Sequence, residues 1–211
     1  MNASASKNSL AIVPFMIAMA IIVALSNKLV QYPVALQLGN IDLKEILTWG
    51  AFTYPVAFLV TDLANRKFGP SQARLVVAAG FVLAVALSFW LATPRIAIAS
   101  GCAFLTAQLL DVSVFDRLRH SSWWQAPLIS SLLGSVIDTV LFFGIAFAPA
   151  FAMLDFGGED GSLGFAVPFL SVGAEVPLWA SLAAGDFIVK VMVGLAMLMP
   201  YGLVARTPVE A

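Results

Sequence analysis

Apolar residues run almost unbroken through six stretches of this chain, and shorter polar joints separate them. The stretches are approximately Leu10 to Ser26, Ile46 to Asp62, Leu75 to Ala92, Ile96 to Phe115, Ala126 to Phe147 and Leu178 to Leu203. A helix rises about 1.5 Å per residue and the hydrocarbon slab is about 30 Å thick, so one crossing takes roughly 17 to 25 apolar residues. Each stretch comes close to that length. The pattern predicts an all-α, polytopic membrane bundle of six transmembrane helices, forming a single domain over residues 1–211. Met1 to Ser26, with Lys7 ahead of an apolar run, imitates a secretory signal peptide. Because further spans follow, it reads as a retained first helix. No convincing internal repeat is visible, which gives no support to an inverted-repeat architecture.

Composition sharpens this reading. Of 211 residues, 61% are hydrophobic and 11% charged, and the mean hydropathy is +0.95. One soluble core cannot hide that much apolar surface, so lipid must act as solvent. The formal net charge of −1 offers no basic excess for nucleic acid. Cys102 is the only cysteine and His120 the only histidine, which excludes an intrachain disulfide and argues against a cysteine- or histidine-rich metal centre. No cofactor is expected. The cations Lys7, Arg66, Lys67, Arg74, Arg117, Arg119 and Arg206 fall in the N-terminus, the second and fourth connections and the C-terminus. Lys28, Lys44 and Arg95 fall in the first and third. The positive-inside rule then puts both termini in the cytoplasm of a bacterial inner-membrane protein. The fifth connection, Ala148 to Pro177, carries Asp155, Glu159, Asp160 and Glu175 around a glycine-rich middle, Gly157 to Gly164. It reads as a mobile external loop, and a lid is the sharper reading. Arg117 to Trp124 combines cations with two tryptophans, which suits a helix end at the lipid headgroups.

Function is to be sought where polarity is costly. An ionisable side chain at mid-bilayer costs about 2.5 to 3.5 kcal/mol on insertion scales, so those present face the bundle interior or a watery cavity. Asp138 lies near the middle of the fifth span. Ser131, Ser135, Asp138 and Phe142 follow spacings of four, three and four residues, which aligns them on one helical face as a candidate ligand wall. The alternative is that a residue of another helix satisfies Asp138. Asp186 and Lys190 stand four apart, which allows an ion pair across one turn or a direct role with a solute. Gly50 and Pro55 predict a kink or break in the second span, making it a second candidate wall. There Trp49, Phe52, Tyr54 and Phe58 offer stacking surfaces, although Trp49 also suits a headgroup anchor. Thr61, Asp62, Asn65 and Arg66 cap the cytoplasmic end of that span or contribute to a gate. In the fourth span, Ala99, Ala103 and Ala107 with Gly101 permit close helix packing. Gln108 and Asp111 follow toward its cytoplasmic end, positioned to bind ligand or to join Arg66 or Arg117 in a network. Arg95, on the external side, is positioned to meet an arriving solute.

Four segments together resemble the queuosine precursor transporter family, which is related to vitamin uptake transporters. They are Thr48 to Gly69 (TWGAFTYPVAFLVTDLANRKFG), Arg95 to Arg119 (RIAIASGCAFLTAQLLDVSVFDRLR), Trp123 to Thr139 (WWQAPLISSLLGSVIDT) and Asp186 to Lys190 (DFIVK). The resemblance implies import of 7-cyano-7-deazaguanine or its aminomethyl relative. It also implies a six-helix bundle similar to the substrate-binding subunits of energy-coupling vitamin transporters. For such a purine-like substrate, a buried carboxylate can accept two adjacent N–H donors, and Asp138 is the expected acceptor. Phe142, Tyr54 or Trp49 would stack on the flat heterocycle and Gln108 would pair with its carbonyl side. Relatives often carry an amide where this chain has Ser135, whose reach is shorter. A cationic aminomethyl form would seek a carboxylate such as Asp111 or Asp186.

Three function classes follow: a transporter, a substrate-capturing subunit driven by a separate ATP-consuming complex, and an intramembrane enzyme using Asp111 and Asp138 as a pair. The chain has no P-loop of its own. Against the enzyme, one acid lies near the cytoplasmic end and the other near mid-membrane, and no serine–histidine or zinc-ligand constellation supplies another chemistry. The expected protein is therefore not an enzyme. Its expected partners are a small molecule and the bilayer, with the oligomeric state left open.

Overall fold

The computed structural model of the chain describes residues 11–39, 41–155, 163–171 and 173–205. Lys7, Arg206, Glu159, Asp160 and most of the glycine-rich stretch from Gly157 lie outside them. Among the described residues seven α-helices dominate: α1 (Val13–Leu29), α2 (Gly50–Thr53), α3 (Val56–Phe68), α4 (Pro70–Leu91), α5 (Pro94–Leu118), α6 (Gln125–Phe147) and α7 (Leu178–Ala205). Two antiparallel ribbons join them, β1 (Gln37–Leu38) with β2 (Ile41–Asp42), and β3 (Ala166–Pro168) with β4 (Glu175–Pro177). The expectation of a purely helical chain missed these ribbons. Both lie in connections, where alternate residues pair locally and leave no long apolar run to detect.

Among the described residues four helices, α4 to α7, are long and apolar enough to cross a membrane. At 22 to 28 residues they reach about 33 to 42 Å, more than the slab requires. Helix α1 is shorter at 17 residues. The stretch from Ile46 to Asp62 is not one helix. A 3-10 turn at Leu43–Glu45 precedes it, and backbone bonds from Val34 and Trp49 to the carbonyls of Leu47 and Tyr32 hold its start extended. The helix is then interrupted at Tyr54 and Pro55, where proline has no N–H to donate. The next turn is closed instead by short-range bonds from Ala57 to Tyr54 O and from Phe58 to Pro55 O.

Tight joints set the remaining order. Gly69 adopts φ 85°, donates to Asn65 O at 2.8 Å and lets Pro70 open α4 immediately, with no intervening loop. Thr93 caps α5, its hydroxyl accepting from Ile96 N, with Pro94 in the first turn. Helix α5 is the spine of the bundle, lying against α4 on one side and along α6 on the other. Its small residues Ala99, Ala103 and Ala107 are fully buried, which allows that close approach. The main core gathers Met19, Val23, Ala57, Val60, Val76, Val77, Phe104 and Val112. Outward faces are apolar: Val82, Trp90, Val140, Met199 and Leu203 are all strongly exposed. An exposed apolar girdle around buried polar groups is the inverse of a soluble fold and fits lipid contact.

Candidate functional site

Polar side chains are concentrated inside the bundle in two groups. The upper group centres on Lys190 of α7. Its Nζ lies 2.6 Å from Asp138 Oδ2 on α6, ion-pairs with Asp186 one turn back on α7, and donates to Thr139 Oγ1 at 3.2 Å. Thr139 in turn donates to Asp186 Oδ2 at 3.2 Å. An ammonium has three protons to donate and all three are engaged, so Lys190 offers a ligand a positive field but no free donor. Its Nζ also lies 5.8 Å from the centroid of the Tyr54 ring. Asp138 is therefore neutralised by a partner 52 residues away, a contact that the sequence around it does not reveal.

The lower group lies between α3, α5 and α6. Asp62 accepts long bonds from Ser130 at 3.4 Å and Ser131 at 3.5 Å. The carboxyl of Asp111 faces that of Asp62, with Ser130 beside both. Thr61 donates to Gln108 Oε1 at 2.6 Å, and Asn65 Nδ2 donates to Val112 O at 2.9 Å. Yet among the described residues both oxygens of Asp111, the Oδ1 of Asn65 and the Nε2 of Gln108 have no hydrogen-bond partner. Asp111, Asn65 and Gln108 are 0% exposed. Four unmatched buried polar atoms close together are unusual, because each forfeits about 1 to 3 kcal/mol of solvation.

Between the two groups lies a narrow cleft, partly open to the outside, with Lys190 and Asp62 among its lining residues. Phe58, Tyr201, Ser131 and Ser135 contribute to its walls. Gly134 makes room for one wall: a Cβ there would come within 2.7 Å of the Phe58 ring, so only glycine lets that ring lie flush on α6. Tyr201 is held edge-on to Phe115, with ring centroids 6.2 Å apart.

The expected site residues thus separate. Ser135 and Lys190 line the cleft, and so does Asp62, expected at a cap or gate. Asp138 and Asp186 stand behind Lys190. Tyr54 packs edge-on against Phe104, and Phe142 against Phe143 and Phe147. Trp49 is half exposed beside Phe52. None of these three rings lines the cleft, because the break at Pro55 turns α2 away and Phe142 lies a turn beyond Asp138. Gln108, Asp111 and Asn65 sit behind Asp62. Arg66 donates to Ala205 O at 2.7 Å and lies over Tyr201. Arg95 is buried, pairs with Asp155 at 2.8 Å and donates to Ile145 O and Ala148 O. It fastens the start of the fifth connection and has no donor facing the cleft. Tyr201 and Ser130 were missed. Tyr201 follows Pro200 near a span end, where an aromatic resembles a headgroup anchor, while the adjacent serines 130 and 131 inside an apolar run were a usable signal.

A membrane-embedded bundle that buries an acid–lysine cluster beside a narrow cleft has the form of a small-solute carrier. The family model described as "Putative vitamin uptake transporter" matches residues 48–93 and 86–204. The chain belongs to that family, a multi-pass bacterial membrane transporter rather than an enzyme. It is 35% identical to the "Probable queuosine precursor transporter" of Haemophilus influenzae, over 87% of this chain and 81% of that one. It is 34% identical to the "Queuosine precursor transporter" of Escherichia coli over the same shares. A "Probable queuosine precursor transporter" of Bacillus subtilis matches at 28% over 47% of this chain and 56% of that one. No solved structure matches it.

Proposed function

We propose that this chain imports queuosine precursors, 7-cyano-7-deazaguanine or 7-aminomethyl-7-deazaguanine, into the cytoplasm, and that the heterocycle occupies the cleft between Lys190 and Asp62. The observation that carries this reading is a carboxylate on the wall of an otherwise largely apolar cleft that also has aromatic walls. A guanine-type edge presents adjacent N–H donors, which one carboxylate accepts in parallel. Asp62 reaches the cleft and takes that role, while Asp138 acts one step back by holding Lys190 in the opposite wall. Phe58 and Tyr201 flank the ring plane, where stacking contributes about 1 to 3 kcal/mol per base. Ser131 and Ser135 supply hydroxyls between the two ends.

In this reading α1 and the interrupted pair α2–α3 complete six crossings with α4 to α7. Arg66, Lys67, Arg117 and Arg119 then mark the cytoplasmic side and Arg95 the external one. The architecture is taken to be that of the substrate-binding subunits of energy-coupling vitamin transporters. Uptake by the purified chain alone in liposomes separates an autonomous carrier from such a subunit. In cells lacking their own uptake route, expression of the chain is expected to give saturable accumulation of labelled 7-cyano-7-deazaguanine. Asp62→Asn, inserted at normal level, is expected to abolish it. Uptake equal to that of cells without the chain refutes the proposal.

A further inference from the structure

Two acids face each other in the lower group with no cation between them. Asp62 is 1% exposed and Asp111 0%. The groups around the pair are neutral or committed elsewhere. From α3 come Thr61 and Asn65, from α5 Gln108, and from α6 Ser130 and Ser131. From α7 comes Tyr201, whose ring lies under Arg66. Arg66 spends its guanidinium on Ala205 O. Arg119 spends its own on Asp116 and on the carbonyls of Asn65 and Arg66. Across from these, α1 and α4 present apolar Met19, Val76 and Val77, and Arg74 is exposed. Lys190 stands at another part of the cleft with its three partners.

Two carboxylates side by side inside a protein repel each other, and one proton shared between them relieves the repulsion. Asp62 opens onto the cleft and Asp111 does not. Neither Asp111 oxygen makes a well-formed hydrogen bond among the described residues, and a proton held against Asp62 would satisfy one of them. We propose that Asp62 and Asp111 form a proton-carrying carboxyl pair, which couples passage of the solute through the cleft to passage of a proton. The proton enters on Asp62 from the cleft, is held between the two oxygens while the solute is bound, and leaves when Asp62 faces the cytoplasm. No bond other than O–H forms or breaks. Asp111 does not touch the solute and acts through Asp62.

This inference rests on the functional reading above. The test uses the full chain in liposomes with labelled 7-cyano-7-deazaguanine, measuring accumulation under an imposed pH gradient and solute exchange at equal pH. One proton per solute predicts about tenfold accumulation for a gradient of one pH unit, since each factor of ten corresponds to about 1.4 kcal/mol. Asp111→Asn is expected to lose this accumulation while still exchanging solute at equal pH, a separation that a merely structural defect does not produce. If the wild-type chain exchanges solute but ignores the pH gradient, or follows a sodium gradient instead, the coupling proposal is overturned and the functional reading stands. The same holds if Asp111→Asn keeps gradient-driven accumulation. If the wild-type chain exchanges nothing in liposomes, the coupling proposal is overturned, because the chain is then no autonomous carrier, and the cellular uptake assay alone decides the functional reading.

Discussion

Removing Lys190 is expected to destabilise the protein more than removing either acid it binds, and the reason is geometric. Asp138 and Lys190 are 5% and 4% exposed, so water screens little of their interaction. Lys190→Met leaves Asp138 and Asp186 facing one another without a cation, and stranding a buried charge in this way costs about 3 to 5 kcal/mol. Asp138→Asn keeps the shape, and the lysine retains Asp186 and Thr139. The loss is then one charge-assisted bond, about 1.5 to 3 kcal/mol. The double variant, Lys190→Met with Asp138→Asn, leaves Asp186 bonded to Thr139 and is expected to be more stable than Lys190→Met alone. Reversible unfolding of the four proteins in mixed micelles gives the cycle directly. Equal losses in the two single variants, or a double variant at the sum of the singles, would falsify the idea that one lysine neutralises two acids.

Gly134→Val is expected to push the Phe58 ring into the cleft, costing about 1 to 3 kcal/mol in overpacking and abolishing uptake at normal membrane insertion. Retained uptake would show that the Phe58 wall does not border the path. Arg95→Met releases Asp155 and the carbonyls of Ile145 and Ala148 together. Faster proteolytic cleavage in the connection after α6 is expected, by at least tenfold, and an unchanged rate in intact vesicles counts against Arg95 as its fastening.

The four long helices were legible within a few residues at each end, because apolar runs of that length have few other uses. The interrupted second span was legible too: Pro55 removes a backbone donor wherever the chain goes. What the sequence could not yield was the pairing between helices. Ser131, Ser135, Asp138 and Phe142 do share a face of α6, but the face is divided. Its first two members reach the cleft, the third meets Lys190, and the fourth packs on other phenylalanines. Which segment of a helical stripe borders open space depends on where the neighbouring helices end, and that is a property of the tertiary arrangement. Asp62 was displaced from cap to cleft for the same reason. A carboxylate followed by Asn65 and Arg66 has the composition of a helix terminus, while the fold buries it against α6.

The two-acids-to-one-lysine cluster has an electrical consequence. With all three groups ionised its formal charge is −1, carried within the two apolar helices α6 and α7. One elementary charge carried fully across a potential of 100 mV is worth about 2.3 kcal/mol. Any tilt of α7 that shifts this cluster along the membrane normal therefore does work against the voltage, in proportion to the fraction of the field it crosses. Were the empty bundle to alternate between two faces by such a tilt, the resting potential would bias that equilibrium before any solute arrives.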